Sequence, residues 1–257
     1  MIPIILAVLA AVFLAAPLFV IVPMSFSTSR SFEFPPAHYG LTYYADYFSN
    51  WDWLTPTINS FIIGGLSAAI TMVLVIPTSY AYVRYRFLGR NVVNQLVMLP
   101  LMVPHVVSAL GFYGFLAKLG LNGTIAGMVL AHTCLSVPAA FLVACATLKG
   151  FDHNLERAAM SSGAGPLRTF FWVTLPVLRP GLLVALLLSF LQSFNEAVVA
   201  IFVAGRDAST LPKKMFESIR VDTDPVIAVV STLLTALVLL GVLLAQFGRM
   251  RAAKKTA

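Results

Sequence analysis

The sequence predicts an all-α membrane protein of about six transmembrane helices, and three observations carry the prediction. Of its 257 residues, 59% are hydrophobic and 11% charged, where a soluble domain carries about 25% charged residues. Mean hydropathy is +0.89, and apolar runs recur that are each long enough to cross roughly 30 Å of hydrocarbon. Runs such as VIAVVSTLLTALVLLGVLLAQF, beginning at Val226, show no alternation of polar and apolar positions. That excludes the strands of a membrane barrel, and lipid cannot satisfy an open backbone, so each run is a helix.

Taken in order, the runs are 2–24, 57–83, 93–117, 124–148, 181–204 and 226–247, within one transmembrane domain covering 1–257. The first lacks a basic leading region and is longer than the core of a signal peptide, so it reads as a membrane helix. In the third, Pro100 and Pro104 each remove a backbone donor, and a kink is expected there. The fourth carries both cysteines, Cys134 and Cys145. Eleven residues of helix separate them by about 16 Å, beyond disulfide reach, so they read as packing residues. Between the first two spans, loop 25–56 is rich in aromatics. It reads either as an amphipathic segment at the membrane interface, where Trp and Tyr partition well, or as a contact for a partner subunit.

The net charge of +7 belongs to the loops and calls for no nucleic acid. With the amino terminus inside, loops 84–92, 149–180 and 248–257 hold eleven bases and two acids, and the outer loops six bases and seven acids. Bases concentrate on the cytoplasmic side of membrane proteins, so both termini are expected in the cytoplasm.

Loop 149–180 is the most informative stretch: KGFDHNLERAAMSSGAGPLRTFFWVTLPVLRP. Asp152 suits the N-cap of a short helix. Leu155, Ala158, Ala159 and Ser162 then share one face. Gly163 suits a stop, and Pro166 the first turn of a second helix ending near Pro176. A face of Ala, Ala and Ser lets another surface approach the backbone closely, which makes the short helix a knob for a partner's groove.

This loop resembles the EAA loop of the membrane subunits of binding-protein-dependent ABC importers. That motif has two alanines, a glycine a few residues on, and a Leu-Pro thirteen residues past the glycine, here Ala158, Ala159, Gly163 and Leu175-Pro176. Arg157 stands where the motif has its glutamate, with Glu156 just before it. The segments LPLMVPHVVSALGFYGFLAKLGLNGT and TLPKKMFESIRVDTDPVIAVVSTLLT are similar to the spermidine/putrescine-type permeases. The resemblance implies a type I ABC importer permease bundle in a bacterial inner membrane, with cytoplasmic coupling helices between spans 4 and 5. It implies ATPase-coupling roles for Glu156, Arg157, Ala158, Ala159, Gly163 and Pro176. It also implies a second, homologous permease subunit in a heterodimer, two ATPase subunits, a periplasmic substrate-binding protein, and a polyamine or related cationic amine as the solute. ATP and Mg would be used by the ATPase partners, with no cofactor bound by this chain. Independently, no lysine here follows a glycine, so the Gly-Lys of a P-loop is missing, as are HExxH and GxSxG.

One acid lies within a predicted span. A charge there costs about 2.5–3.5 kcal/mol on insertion scales, so Glu196 is expected to face a cavity, a cation or a partner group. Ser189, Gln192 and Glu196 fall at i, i+3 and i+7 and predict one polar stripe, flanked by Asn195. The stripe reads as lining a substrate pathway, or as hydrogen bonding across helices. His105 and His132 read as hydrogen-bonded packing residues, and no spacing suggests a metal site. Two further classes are compatible with these residues: a self-sufficient secondary carrier using Glu196, and a membrane enzyme using Glu196 with His105.

Overall fold

The computed structural model describes residues 2–30, 33–221 and 224–255. The basic tail behind part of the charge bias, Arg249, Arg251, Lys254 and Lys255, lies outside the side chains it describes. Among the described residues, four helices are long and apolar enough to span a membrane, five if one bent pair counts as a span, and Val226–Gly241 is a shorter apolar helix. The chain divides into two compact units, Met1–Leu54 with Met215–Ala257, and Thr55–Lys214.

In the first unit, α1 (Ile2–Ser25) lies against α12 (Val226–Lys255), and α2 (Thr42–Ser49) also contacts α12. Exposed Ile, Leu and Phe side chains cover α1, the arrangement expected where lipid rather than water is the solvent. Loop 25–56 is partly folded inward: Tyr43, Tyr47 and Trp53 are buried, while Tyr39, Phe48 and Trp51 remain exposed. Asp224 ties the end of this stretch to the start of α12. Its Oδ2 accepts from Trp53 Nε1 at 3.2 Å, and its Oδ1 caps α12 through the Val226 N–H at 3.0 Å.

The second unit is built on α3 (Trp51–Arg84), α6 (Ile125–Lys149) and α9 (Leu175–Phe194). α3 starts at Trp51, six residues before the predicted 57, because Asn50 Oδ1 accepts the Asp52 N–H at 2.9 Å and opens the helix. Pro56, its sixth residue, withholds the donor that would meet the Asp52 carbonyl, and the helix continues past it. Thr124 caps α6 by accepting the Gly127 N–H at 3.1 Å. α6 and α9 pack closely, because Gly181 lies against the Thr147 side chain where a Cβ would collide. Polar groups link the pair: Ser136 Oγ donates to the Ser189 carbonyl at 3.3 Å, and His132 Nδ1 bonds Ser193 Oγ at 2.7 Å. Cys134 and Cys145 are both free, as their spacing requires.

Two apolar cores fill this unit. One, toward the coupling loop, joins Val75, Phe141, Ala144, Leu148 and Leu182. The other joins Ile63, Ala109, Leu116, Met128, Val199 and Ala200, and brings α5 (His105–Lys118) against α10 (Val198–Val203).

Both α5 and α10 exist because predicted spans are broken. The third span is not one helix over 93–117. α4 (Arg90–Met102) and α5 meet at 106°. Proline disfavours helical geometry in the residue before it, and here Val103 and Pro104 are both extended, with ψ 129° and 137°. Two consecutive extended residues turn an expected kink into a corner. The fifth span is not continuous over 181–204 either, since α9 ends at Phe194 and α10 begins at Val198.

Candidate functional site

α7 (Asn154–Ser161) is the short helix expected in loop 149–180. Asp152 Oδ1 accepts the Asn154 N–H at 2.9 Å and opens it. Its end is a Schellman cap: the Gly163 N–H reaches the Met160 carbonyl at 3.0 Å and the Ala164 N–H the Ala159 carbonyl at 3.1 Å. That cap needs a left-handed residue, and Gly163 has φ +90°. Gly163 is therefore required by backbone geometry. The expected small face is outward: Leu155, Arg157, Ala158 and Ser162 are exposed and Ala159 is half-buried.

The second helix does not end near Pro176. From Pro166 the chain is helical to Phe194, as α8 (Pro166–Thr169), a π turn (Phe170–Thr174) and α9. In α geometry the Pro176 ring would collide with the Trp172 carbonyl. The wider turn, closed by the Leu175 N–H on the Phe170 carbonyl, relieves this. Pro176 thus sits in the first turn of α9, away from the exposed face of α7.

Glu156 also departs from the expected grouping, because it is 1% exposed and turned inward. Its Oε1 accepts from Thr174 Oγ1 at 2.6 Å and from Tyr80 OH at 3.3 Å. Its Oε2 lies 2.6 Å from His153 Nδ1 and 3.5 Å from Arg84 Nε. The Arg84 guanidinium lies over the Phe151 ring, and its Nη2 is buried with no hydrogen-bond partner among the described residues. One carboxylate therefore fastens α7 to the last turn of α3 and to the π turn. Sequence reasoning missed Tyr80, Arg84, His153 and Thr174 in this role. The one available signal was the i, i+4 spacing of Tyr80 and Arg84.

Glu196 lies in the gap between α9 and α10, not on a helical face. Its Oε1 accepts the Val199 N–H at 3.0 Å, supplying a partner that helix geometry no longer provides. Its Oε2 lies 3.1 Å from His105 Nδ1, the first residue of α5. The contact is an ion pair when the imidazole is protonated and a hydrogen bond otherwise. The carboxylate side chain is 4% exposed and the imidazole 46%. An open cavity of about 330 Å³ runs past them, lined also by Gln192, Asn195, Leu188 and Leu191. The predicted stripe assumed an unbroken helix. The structure brings Gln192, Asn195 and Glu196 together, while Ser189 is buried against α6 and donates to the Ala185 carbonyl at 2.9 Å. His105, expected to be a packing residue, is the acid's partner.

The site thus consists of a capped small-residue knob and, within the helical membrane unit, two broken helices around a buried acid. Residues 74–251 match the family described as binding-protein-dependent transport system inner membrane component, and the chain belongs to that family. It is 31% identical to putrescine transport system permease protein PotI of Escherichia coli over 90% of this chain and 84% of the relative. It is 27% identical to spermidine/putrescine transport system permease protein PotC of Haemophilus influenzae over 91% of each. Its fold superposes with a TM-score of 0.76 and 17% identity, over 96% of each chain, on a chain of the crystal structure of a bacterial ABC transporter involved in the import of the acidic polysaccharide alginate. The protein is accordingly a non-catalytic, multi-pass permease subunit of an inner-membrane ABC importer, working with a binding protein and with an ATPase carried on separate subunits.

Proposed function

We propose that this subunit forms one half of the channel of a polyamine importer and that cationic amines pass Glu196. The observation that carries the reading is a buried carboxylate set beside an open cavity where two broken helices meet. An acid inside a membrane protein needs water, a donor or a cation to offset its desolvation, and an ammonium group supplies the last. The names of the two permease relatives support the same solute class. Neither the carrier nor the enzyme reading gains support from the comparisons.

In this reading a second, homologous permease completes the channel as a heterodimer. Two ATPase subunits receive the α7 knobs and handle ATP and Mg, and a periplasmic protein delivers the solute. Ala158, Ala159 and Arg157 form the contact surface, Gly163 caps it, and Glu156 and Pro176 set its position from behind. The pathway residues are Glu196, Gln192 and Asn195.

Glu196→Gln keeps the size and removes the charge. A hydrogen bond to a charged group is worth about 1.5–3 kcal/mol, so uptake of labelled 1,4-diaminobutane by the reconstituted importer should fall about tenfold or more. Unchanged uptake would remove the case for a cationic solute.

The bias of eleven bases to six supports a topology with both termini in the cytoplasm. With Cys134 and Cys145 replaced, a cysteine at exposed Tyr39 should react with an impermeant maleimide on intact cells. One at Leu88, fully exposed in the loop between α3 and α4, should react only after permeabilisation. The opposite pattern would invert the topology.

A further inference from the structure

We propose that His105 is a built-in competitor for Glu196, a specificity-determining residue that occupies the carboxylate between solute molecules and yields to an ammonium group. The inference rests on the cationic-solute reading and adds the group against which the solute must compete. Three observations carry it. The two carboxylate oxygens have different roles. Oε1 is committed to the Val199 N–H at 3.0 Å, which anchors the start of α10. Oε2 has His105 Nδ1 at 3.1 Å as its partner.

The partners also differ in freedom. Glu196 is 4% exposed and fixed by the backbone, whereas His105 is 46% exposed and follows the two extended residues of the α4–α5 corner. Rotation about its side-chain bonds moves the imidazole toward open space without disturbing a helix. The cavity opens on this same pair, and none of its lining residues is Lys or Arg. Among the described residues that line it, the polar side chains beside the acid are the imidazole and the amides of Gln192 and Asn195.

Such an arrangement suits a pathway. An unoccupied buried carboxylate would hold a cation too firmly for passage, and a permanently paired one would refuse it. A neutralising group of modest strength, attached to the wall, makes each exchange nearly even: one donor leaves Oε2 as another arrives.

The test uses the permease–ATPase complex in nanodiscs without the binding protein, with radiolabelled 1,4-diaminobutane as the probe. Removing one competing hydrogen bond should tighten apparent binding about fivefold in His105→Ala. The gain should vanish in the His105→Ala, Glu196→Gln double variant. His105→Asn, which keeps a donor of similar reach, should bind as the wild type does and guards against a purely structural effect of the alanine. His105→Lys, which tethers an ammonium group beside the acid, should weaken binding by a similar factor. Unchanged affinity in His105→Ala, or a gain that survives Glu196→Gln, overturns the proposal. Failure of the wild-type importer to take up the diamine overturns the cationic-solute reading and this inference together. Normal wild-type uptake with unchanged affinity in His105→Ala overturns the inference alone.

Discussion

Replacing Ala158 with arginine should abolish coupled transport while the subunit still reaches the membrane. Ala158 is exposed on α7 and makes no side-chain hydrogen bond or ion pair within the subunit, so the substitution spares the fold. Its effect falls on whatever the knob enters. An unpaired charge carried into a closely packed contact costs about 3–5 kcal/mol, which is a loss of about a hundredfold or more in docking affinity. Uptake, and the ATP hydrolysis that the loaded binding protein stimulates, should both drop toward background, and the ATPase should be lost during purification of the complex. Gly163→Asp would be a poorer test, because φ +90° at that position strains any residue with a Cβ. An Ala158→Arg complex that transports normally would place the ATPase contact elsewhere.

Glu156→Ala should be nearly as damaging by a different route. It removes no exposed surface, but it strands the groups that converge on the carboxylate. The Arg84 guanidinium, whose Nε and Nη2 already lack a hydrogen bond among the described residues, becomes an uncompensated charge beside α7. Thr174, Tyr80 and His153 lose their acceptor as well. Breaking a buried ion pair from one side costs about 3–5 kcal/mol, comparable to everything else that fastens so short a helix. The loop should therefore loosen while the membrane helices persist. Limited trypsinolysis at exposed Arg157 and Arg168 reports this directly: cleavage there should accelerate strongly in Glu156→Ala. Glu156→Gln, which can still accept from Thr174, should show a smaller effect. Equal cleavage rates in all three proteins would mean that other contacts hold the loop.

The spans were legible because membrane insertion averages over some twenty residues, so a misplaced proline does not hide a helix. That same averaging concealed where the helices stop. Pro104 announced a disturbance, but the corner also depends on the extended conformation of Val103, and a kink and a right angle carry the same residues. The end of α9 at Phe194 is marked by Asn195 and Glu196, but polar residues in an apolar run read equally as a stripe on a continuous helix. That reading groups Glu196 with Ser189, which instead faces α6. The α7 knob was readable to within a residue or two, since capping chemistry is local. What supports the knob was not: Glu156 meets Thr174 and Tyr80 across 18 and 76 positions of sequence, and pairings at that range leave no periodicity to read. The pairing of His105 with Glu196 enters the sequence reading only through the membrane-enzyme alternative.

The π turn at Phe170–Thr174 also fixes an angle. It holds one residue more than an α turn, so deleting a residue there would return the backbone to α geometry and rotate α8 and the loop before it by about 100° about the axis of α9. Thr174 would then leave Glu156, and the Pro176 ring would again meet a carbonyl. The compass bearing at which Ala158 faces outward is thus set by the width of a single turn. A one-residue deletion between Phe170 and Thr174 aims the knob in the wrong direction without altering any residue on its surface.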